Sequence, residues 1–134
     1  MCGICGIIQK QSKVERSLLQ TMLDFMDERG PDSKDIYITN NVGLGHTRLS
    51  IIDINSRSNQ PFISTSGNVI SYNGEIYNYE LIKVELEKKG VTFTTTSDTE
   101  VILQAYQEWG IEKTLDKLDG MFAFSIYDKL ANPI

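Results

Sequence analysis

The amino-acid sequence predicts a single domain of the α+β class. Three observations carry that prediction. Apolar residues recur at helical spacing after Ser12, Asn78 and Ser97, apolar runs of strand length stand at Gly3 to Gln9, Val69 to Tyr72 and Met121 to Ile126, and an Asn40-Asn41 turn joins two more strand-like runs. A chain of 134 residues is the size of one domain and buries roughly two thirds of its unfolded surface. With 40% hydrophobic and 23% charged residues its composition is ordinary globular usage, which excludes disorder, collagen and low complexity.

The elements follow in order. Gly3 to Gln9 is isoleucine-rich and bounded by polar residues, the pattern of a buried strand. Ser12 and Glu15 have capping-box spacing, and Leu18, Leu19, Met22, Leu23 and Met26 then form a helical stripe that Gly30-Pro31 stops. Ile36 to Ile38 and Val42 to Ile54 read as strands, the second placing His46, Arg48 and Ile52 on one face. A polar loop from Asn55 to Asn68 precedes a strand at Val69 to Tyr72. Asn78 to Lys89 is a helix with Tyr79, Ile82 and Leu86 inward and Gly90 as its stop. Ser97 and Glu100 repeat the capping spacing before a helix whose stripe is Val101, Ile102, Ala105, Tyr106 and Trp109, ending at Gly110. Ile111 to Leu118 is a short fourth helix. In the last strand Phe122, Phe124 and Ile126 alternate with Met121, Ala123 and Ser125, and because neither face is charged, both are expected to be covered.

Charge and targeting signals bound the partners. Thirteen Lys and Arg, scattered along the chain, stand against eighteen Asp and Glu for a net charge of -5, which argues against nucleic acid and anionic membrane as partners. No apolar run approaches the about 18 residues that a bilayer span requires, and no basic region followed by a long apolar stretch opens the chain. A soluble, cytoplasmic protein is expected.

Four groups of residues could carry chemistry. The first is Met1-Cys2-Gly3: a small residue at position 2 suits removal of the initiator Met, after which an α-amine with a pKa of about 8 would stand beside a thiol of about 8.5, so that nucleophile and base share one residue. The alternative is an ordinary thiol near a chain end. Cys2 and Cys5 are also a Cys-x-x-Cys pair, a redox or metal-binding signal, although a structural zinc site would need ligands that the two cysteines and single histidine do not supply; Cys5 is most simply a small core residue.

The second is Asn73-Gly74. Alone it is a hairpin signal, but Glu75 to Lys89 has helical and not strand periodicity. At a strand-to-helix switch, the pair offers a side-chain amide and an unobstructed backbone N–H side by side, the donors an oxyanion hole requires. The third is Arg48, which among apolar neighbours needs an anionic partner: a structural carboxylate or that of a substrate. The fourth is Asp98, where a carboxylate at a helix start is explained by the helix dipole alone. His46 is a conceivable base for Cys2, disfavoured in its charged form by Arg48 on the same strand face.

Together these stretches resemble the glutaminase domain of class II, or N-terminal-nucleophile, glutamine amidotransferases, and most closely that of the glutamine-hydrolysing asparagine synthetases. The matching motifs are Met-Cys-Gly-Ile at 1 to 4, Arg29-Gly-Pro-Asp32, Gly45-His-Thr-Arg-Leu-Ser-Ile-Ile-Asp53, Gln60-Pro61, Tyr72-Asn-Gly-Glu-Ile-Tyr-Asn78, Ser97-Asp-Thr-Glu100 and Leu118-Asp-Gly-Met-Phe-Ala-Phe124. The resemblance implies a four-layer αββα sandwich of antiparallel sheets. It implies that Cys2 is the nucleophile, that Asn73 and the Gly74 N–H form the oxyanion hole, that Arg48 holds the glutamine α-carboxylate, that Asp98 and Glu75 lie near its α-amine, and that Ile51 and Ile52 line the substrate.

The same resemblance implies that residues 1 to 134 are the C-terminally truncated first domain of a longer chain, weakly active or inactive alone, which would supply ammonia for asparagine synthesis. Its synthetase domain, absent here, would bind ATP and Mg²⁺; no metal or cofactor is expected within these residues, which hold no nucleotide loop. L-glutamine and that synthetase domain are the expected partners, with a homodimer open to the full-length enzyme. An amidotransferase serving a sugar or antibiotic precursor is the alternative within the same chemistry.

Overall fold

The computed structural model describes residues 1–49 and 58–131. Among these, six strands and four α-helices follow the order β1 (Gly3–Ile8), α1 (Arg16–Asp24), β2 (Ser33–Thr39), β3 (Val42–Arg48), β4 (Phe62–Ile63), β5 (Val69–Ile76), α2 (Tyr79–Lys88), α3 (Asp98–Trp109), α4 (Ile111–Lys117) and β6 (Gly120–Tyr127). The strands form two antiparallel sheets, ordered β1-β3-β2 and β4-β5-β6. Helix α1 packs on the outer face of the first sheet, β1 and β3 face β5 of the second, and α3 with α2 covers the far side of β5. The result is the four-layer αββα sandwich.

Alternation along β5 explains its central place. Ile70, Tyr72 and Ile76 point to the helices, where they join Ile82, Leu86, Val101 and Ile102 in the main core. The intervening residues point to the first sheet, as the Ser71 hydroxyl shows by donating to the Gly45 carbonyl at 3.1 Å. On the other sheet, the buried residues Leu44, His46 and Arg48 of β3 share one face, and His46 Nε2 meets the Tyr72 carbonyl of β5 at 2.9 Å. Among the described residues, no helix is long and apolar enough to cross a membrane.

Several expected boundaries move. Helix α1 starts at Arg16 with Glu15 at its N-cap and no side-chain cap, because Ser12 donates instead to the Gln9 side chain at 2.9 Å and Val14 N–H is held by the Asn40 carbonyl. The helix stops at Asp24, not at Gly30; Met26 N–H bonds three residues back, and a 3₁₀ turn at Asp27–Arg29 follows. Strand β3 ends at Arg48, and the rest of the expected strand, from Ser50 to Ile54, lies outside the described residues. A two-residue strand, β4, stands where a loop was expected.

Strand β5 continues past Tyr72 through Asn73, Gly74 and Glu75 to Ile76, because β6 pairs with it along its whole length. Asn73-Gly74 is therefore neither a hairpin turn nor a strand-to-helix switch. Gly74 has φ +151°, and a Cβ there would collide with the Met121 carbonyl and Phe122 of β6. Ser97 does cap α3, accepting from Thr99 N–H at 3.0 Å, but Glu100 is not its capping-box partner: its buried carboxylate accepts from the backbone N–H groups and hydroxyls of Thr94 and Thr95. Finally, β1 and β6 are not covered on both sides. Both flank the central strand of their sheets; Ile8 is 70% and Met121 69% exposed, and Cys5 is half-buried and not in the core.

Candidate active site

Cys2 directly precedes β1 and is fixed from three directions. Gly3 N–H donates to Thr47 Oγ1 at 3.1 Å, Arg29 Nε donates to the Cys2 carbonyl at 3.2 Å, and Leu49 N–H approaches Cys2 Sγ at 3.3 Å. The Arg29-Gly-Pro-Asp32 motif thus acquires a physical role on both sides. Arg29 grips the Cys2 backbone, Gly30 packs so close to the Thr47–Arg48 peptide that a Cβ would overlap it, Pro31 bridges to Arg48, and Asp32 N–H donates to the Arg48 carbonyl at 2.9 Å. The segment braces the end of β3 just where Arg48 leaves it.

Arg48 is 5% exposed. The sequence left a structural or a substrate carboxylate open for its guanidinium; one partner is an amide oxygen, since Nη1 donates to Asn59 Oδ1. Across the sandwich, Asn73 is half-buried on the face of β5 that looks toward the first sheet, while Glu75 is exposed. Asp98, at the first turn of α3, is buried and accepts from the Tyr72 hydroxyl at 2.6 Å and from Ile76 N–H at 3.2 Å. Burial pushes its carboxyl above the ordinary range, against these donors, which pull it down. The Tyr72 phenol is driven far up by burial and by the Asp98 charge, so it stays a proton donor.

One cavity of about 410 Å³ joins these groups. Cys2, Arg48, Asn73, Gly74, Glu75 and Asp98 all line it, at one end of the seam between the sheets, together with the start of α3. That volume suits a small metabolite. The face of β6 that carries Met121 and Ala123 opens onto the cavity, which is why it is not covered. Ile51 and Ile52 lie outside the described residues. Sequence reasoning gave no role to Ser58, Gln60 and Thr99, which also line the cavity; Gln60-Pro61 stood among the quoted motifs, but nothing in a lone glutamine says what its amide will meet.

The Cys-x-x-Cys reading has no geometric support. Three residues apart in extended chain, the two side chains leave on opposite faces: Cys2 Sγ lies by Leu49 and Cys5 Sγ by Gly45. Among the described residues no group of three or more His, Cys, Asp or Glu could hold a metal ion. His46 is not a base for Cys2 either. Its ring is fully buried, Nε2 must donate because a carbonyl only accepts, and burial, with Arg48 adding to it, lowers its pKa to about 4 against the opposing hydrogen bond to Tyr72.

A nucleophile candidate, two amide donors, a buried cation and a buried carboxylate around one small cavity fit a family. The family model of the glutamine amidotransferase domain matches residues 1–134, the whole chain. This chain belongs to that family. The amidotransferase domain is 41% identical over 137 residues to asparagine synthetase [glutamine-hydrolyzing] 3 of Bacillus subtilis, covering 98% of this chain and 22% of the relative. It is 42% identical over 130 residues to asparagine synthetase B [glutamine-hydrolyzing] of Escherichia coli, covering 96% of this chain and 23% of that one. Among solved structures, glutamine phosphoribosylpyrophosphate amidotransferase from B. subtilis, complexed with ADP and GMP, superposes with a TM-score of 0.57 at 28% identity over 67% of this chain and 22% of the other. The amidotransferase domain thus spans less than a quarter of the length of these relatives.

Proposed function

We propose that the domain hydrolyses L-glutamine to glutamate and ammonia through a γ-glutamyl thioester on Cys2. The observation that carries this reading is the convergence of Cys2, Arg48, Asn73, Gly74 and Asp98 on one cavity. Met1 is 67% exposed at its rim, open to an aminopeptidase; its removal frees the Cys2 α-amine. The amine takes the thiol proton as sulfur attacks the side-chain amide carbon, and it returns that proton to the leaving nitrogen as the C–N bond breaks. Ammonia departs and the thioester remains. Water, deprotonated by the same amine, then adds to the thioester carbon, and glutamate leaves as the thiol is restored.

Each remaining residue answers a charge on glutamine or on the transition state. The Asn73 amide and the Gly74 N–H donate to the oxyanion that forms at each addition. Arg48 holds the α-carboxylate, and Asp98 and Glu75 accept from the α-ammonium. The hydrolysis uses side chains and backbone alone. ATP and Mg²⁺ belong to the subsequent step, in which a synthetase domain amidates activated aspartate; the relatives' names, asparagine synthetase [glutamine-hydrolyzing], support that reading, and we place the full-length enzyme in the cytoplasm, with a homodimer open to it.

The test is covalent. Incubation with a glutamine-analogue electrophile, followed by peptide mapping, is expected to place the adduct on Cys2 with Met1 gone, in parallel with glutamate release. Label on neither cysteine removes the proposal.

A further inference from the structure

Strand β5 has two neighbours for only part of its length. β6 accompanies it throughout, but β4 reaches only to Phe62, opposite Ile70, so beyond that point the described residues give the other edge no strand. In an antiparallel ladder, alternate residues turn their N–H and C=O to the same neighbour. Tyr77 N–H bonds the Asp119 carbonyl at 2.7 Å, which assigns the odd-numbered residues to β6 and turns Tyr72, Gly74 and Ile76 toward the edge without a strand.

Side chains stand in for that strand. Gln60 Oε1 accepts from Tyr72 N–H at 2.6 Å, His46 Nε2 donates to the Tyr72 carbonyl at 2.9 Å, and Asp98 Oδ2 accepts from Ile76 N–H at 3.2 Å. Between them Gly74 directs its N–H the same way, along the cavity wall. Gln60 is also tied to α3, its Nε2 donating to Thr99 Oγ1 at 3.2 Å beside Asp98. Among the described residues, the fully buried His46 ring has a partner at Nε2 and none at Nδ1, an arrangement that costs free energy compared with an apolar side chain.

We propose that Gln60 and His46 are positioning residues for the oxyanion donors: they hold the two peptide groups of Tyr72 from the side a strand would occupy, and so fix the next peptide, whose N–H belongs to Gly74. This inference rests on the reading of Asn73 and Gly74 as those donors. A peptide plane bonded on one edge only is free to tilt. With the Tyr72 carbonyl bonded across the seam by His46 and its N–H bonded by Gln60, the plane that follows starts from a fixed direction.

The experiment compares amides of two lengths in the protein as its gene encodes it. The amide of His46→Gln extends far enough to donate to the Tyr72 carbonyl, whereas that of His46→Asn is one carbon too short. For His46→Asn, kcat for glutamine hydrolysis is expected to fall about 10²-fold with KM changed less than about threefold, while His46→Gln recovers to within about fivefold of wild type. Gln60→Asn is expected to reproduce the kcat loss. Alkylation of Cys2 by iodoacetamide, which needs no oxyanion hole, should proceed at similar rates throughout. Equal kcat in the two His46 variants, or a loss of kcat matched by loss of Cys2 alkylation, overturns the inference. Asn73→Ala separates it from the reading beneath: if that variant loses kcat about 10²-fold and His46→Asn does not, only the positioning role falls. If Asn73→Ala keeps wild-type kcat, both fall.

Discussion

The Tyr72 hydroxyl donates to Asp98 Oδ2 at 2.6 Å, linking the strand that carries Asn73 to the first turn of α3. Both groups are buried, and the bond joins two residues whose ionisation is opposed by the same environment. A buried carboxylate is kept charged by its donors, and the phenol is one of only a few.

Tyr72→Phe is therefore expected to do two things. Removing a donor from a buried carboxylate costs about 1–3 kcal/mol of stability, read as a lower Tm. The Asp98 carboxyl, already above its ordinary range, rises further, so the pH below which KM for glutamine climbs should move up. A KM–pH profile that coincides with that of the wild type would show that Asp98 does not meet the substrate ammonium.

Gly30→Ala tests the brace behind Arg48. The added methyl meets the Thr47–Arg48 peptide, backbone that has no flexible end to move aside. A loss of about 1–3 kcal/mol is expected, the range for overpacking, with KM for glutamine raised more than kcat is lowered, because Arg48 and not the oxyanion donors is displaced. Measuring Tm and both kinetic constants on the one variant is sufficient, and a selective fall in kcat would contradict the assignment of Arg48 to the substrate carboxylate.

The single histidine gives a pH signature. His46 titrates at about 4 in the folded protein, against an ordinary 6.5, so between these values the unfolded chain binds more protons and stability rises with pH. The contribution is complete above pH 6.5 and is lost as pH falls toward 4, by at most about 3 kcal/mol. Asp98 acts with the opposite sign, its raised carboxyl favouring the folded state toward lower pH. Denaturant unfolding at pH 6.5 and 5 should show wild type weakening by more than His46→Gln; parallel curves would mean that the imidazole is not held neutral.

Much of this was legible in sequence because it depends on local rules. Ser97 caps α3, Gly90 and Gly110 follow helices with positive φ, and from the expected stripes Ile82, Leu86, Val101, Ile102 and Ala105 are buried, while Tyr79, Tyr106 and Trp109 are only partly so and Leu103, outside the stripe, is fully buried. Cys2, Arg48, Asn73, Gly74, Glu75 and Asp98 were named from chemistry and motif, and one cavity gathers them. What was hidden depends on distant chain. Asn73-Gly74 reads as a strand-to-helix switch until β6, more than forty residues later, pairs across it and keeps it extended. Glu100 has capping-box spacing, yet Thr94 and Thr95 offer its carboxylate four donors, more than the cap could. Gln60 carries no signal of its own, because its partners are the Tyr72 backbone and the Thr99 hydroxyl, both distant in sequence.

The seam between the sheets has a mechanical consequence. Cys2 leads into one sheet and Arg48 ends a strand of it, whereas Asn73, Gly74 and Glu75 belong to the other. Each sheet keeps its own spacings through its ladder, so bending or fraying at the rims leaves sulfur and donors in register. Lateral slip is different: a displacement of about 1 Å between the plates alters every distance from Cys2 to Asn73 and Gly74 at once, and with the proposed roles it is expected to cost about 10²-fold in rate. The two halves work like the scales of a vernier, read at Cys2. Buried residues along the interface such as Leu44 and Val69 thereby set the zero of that scale.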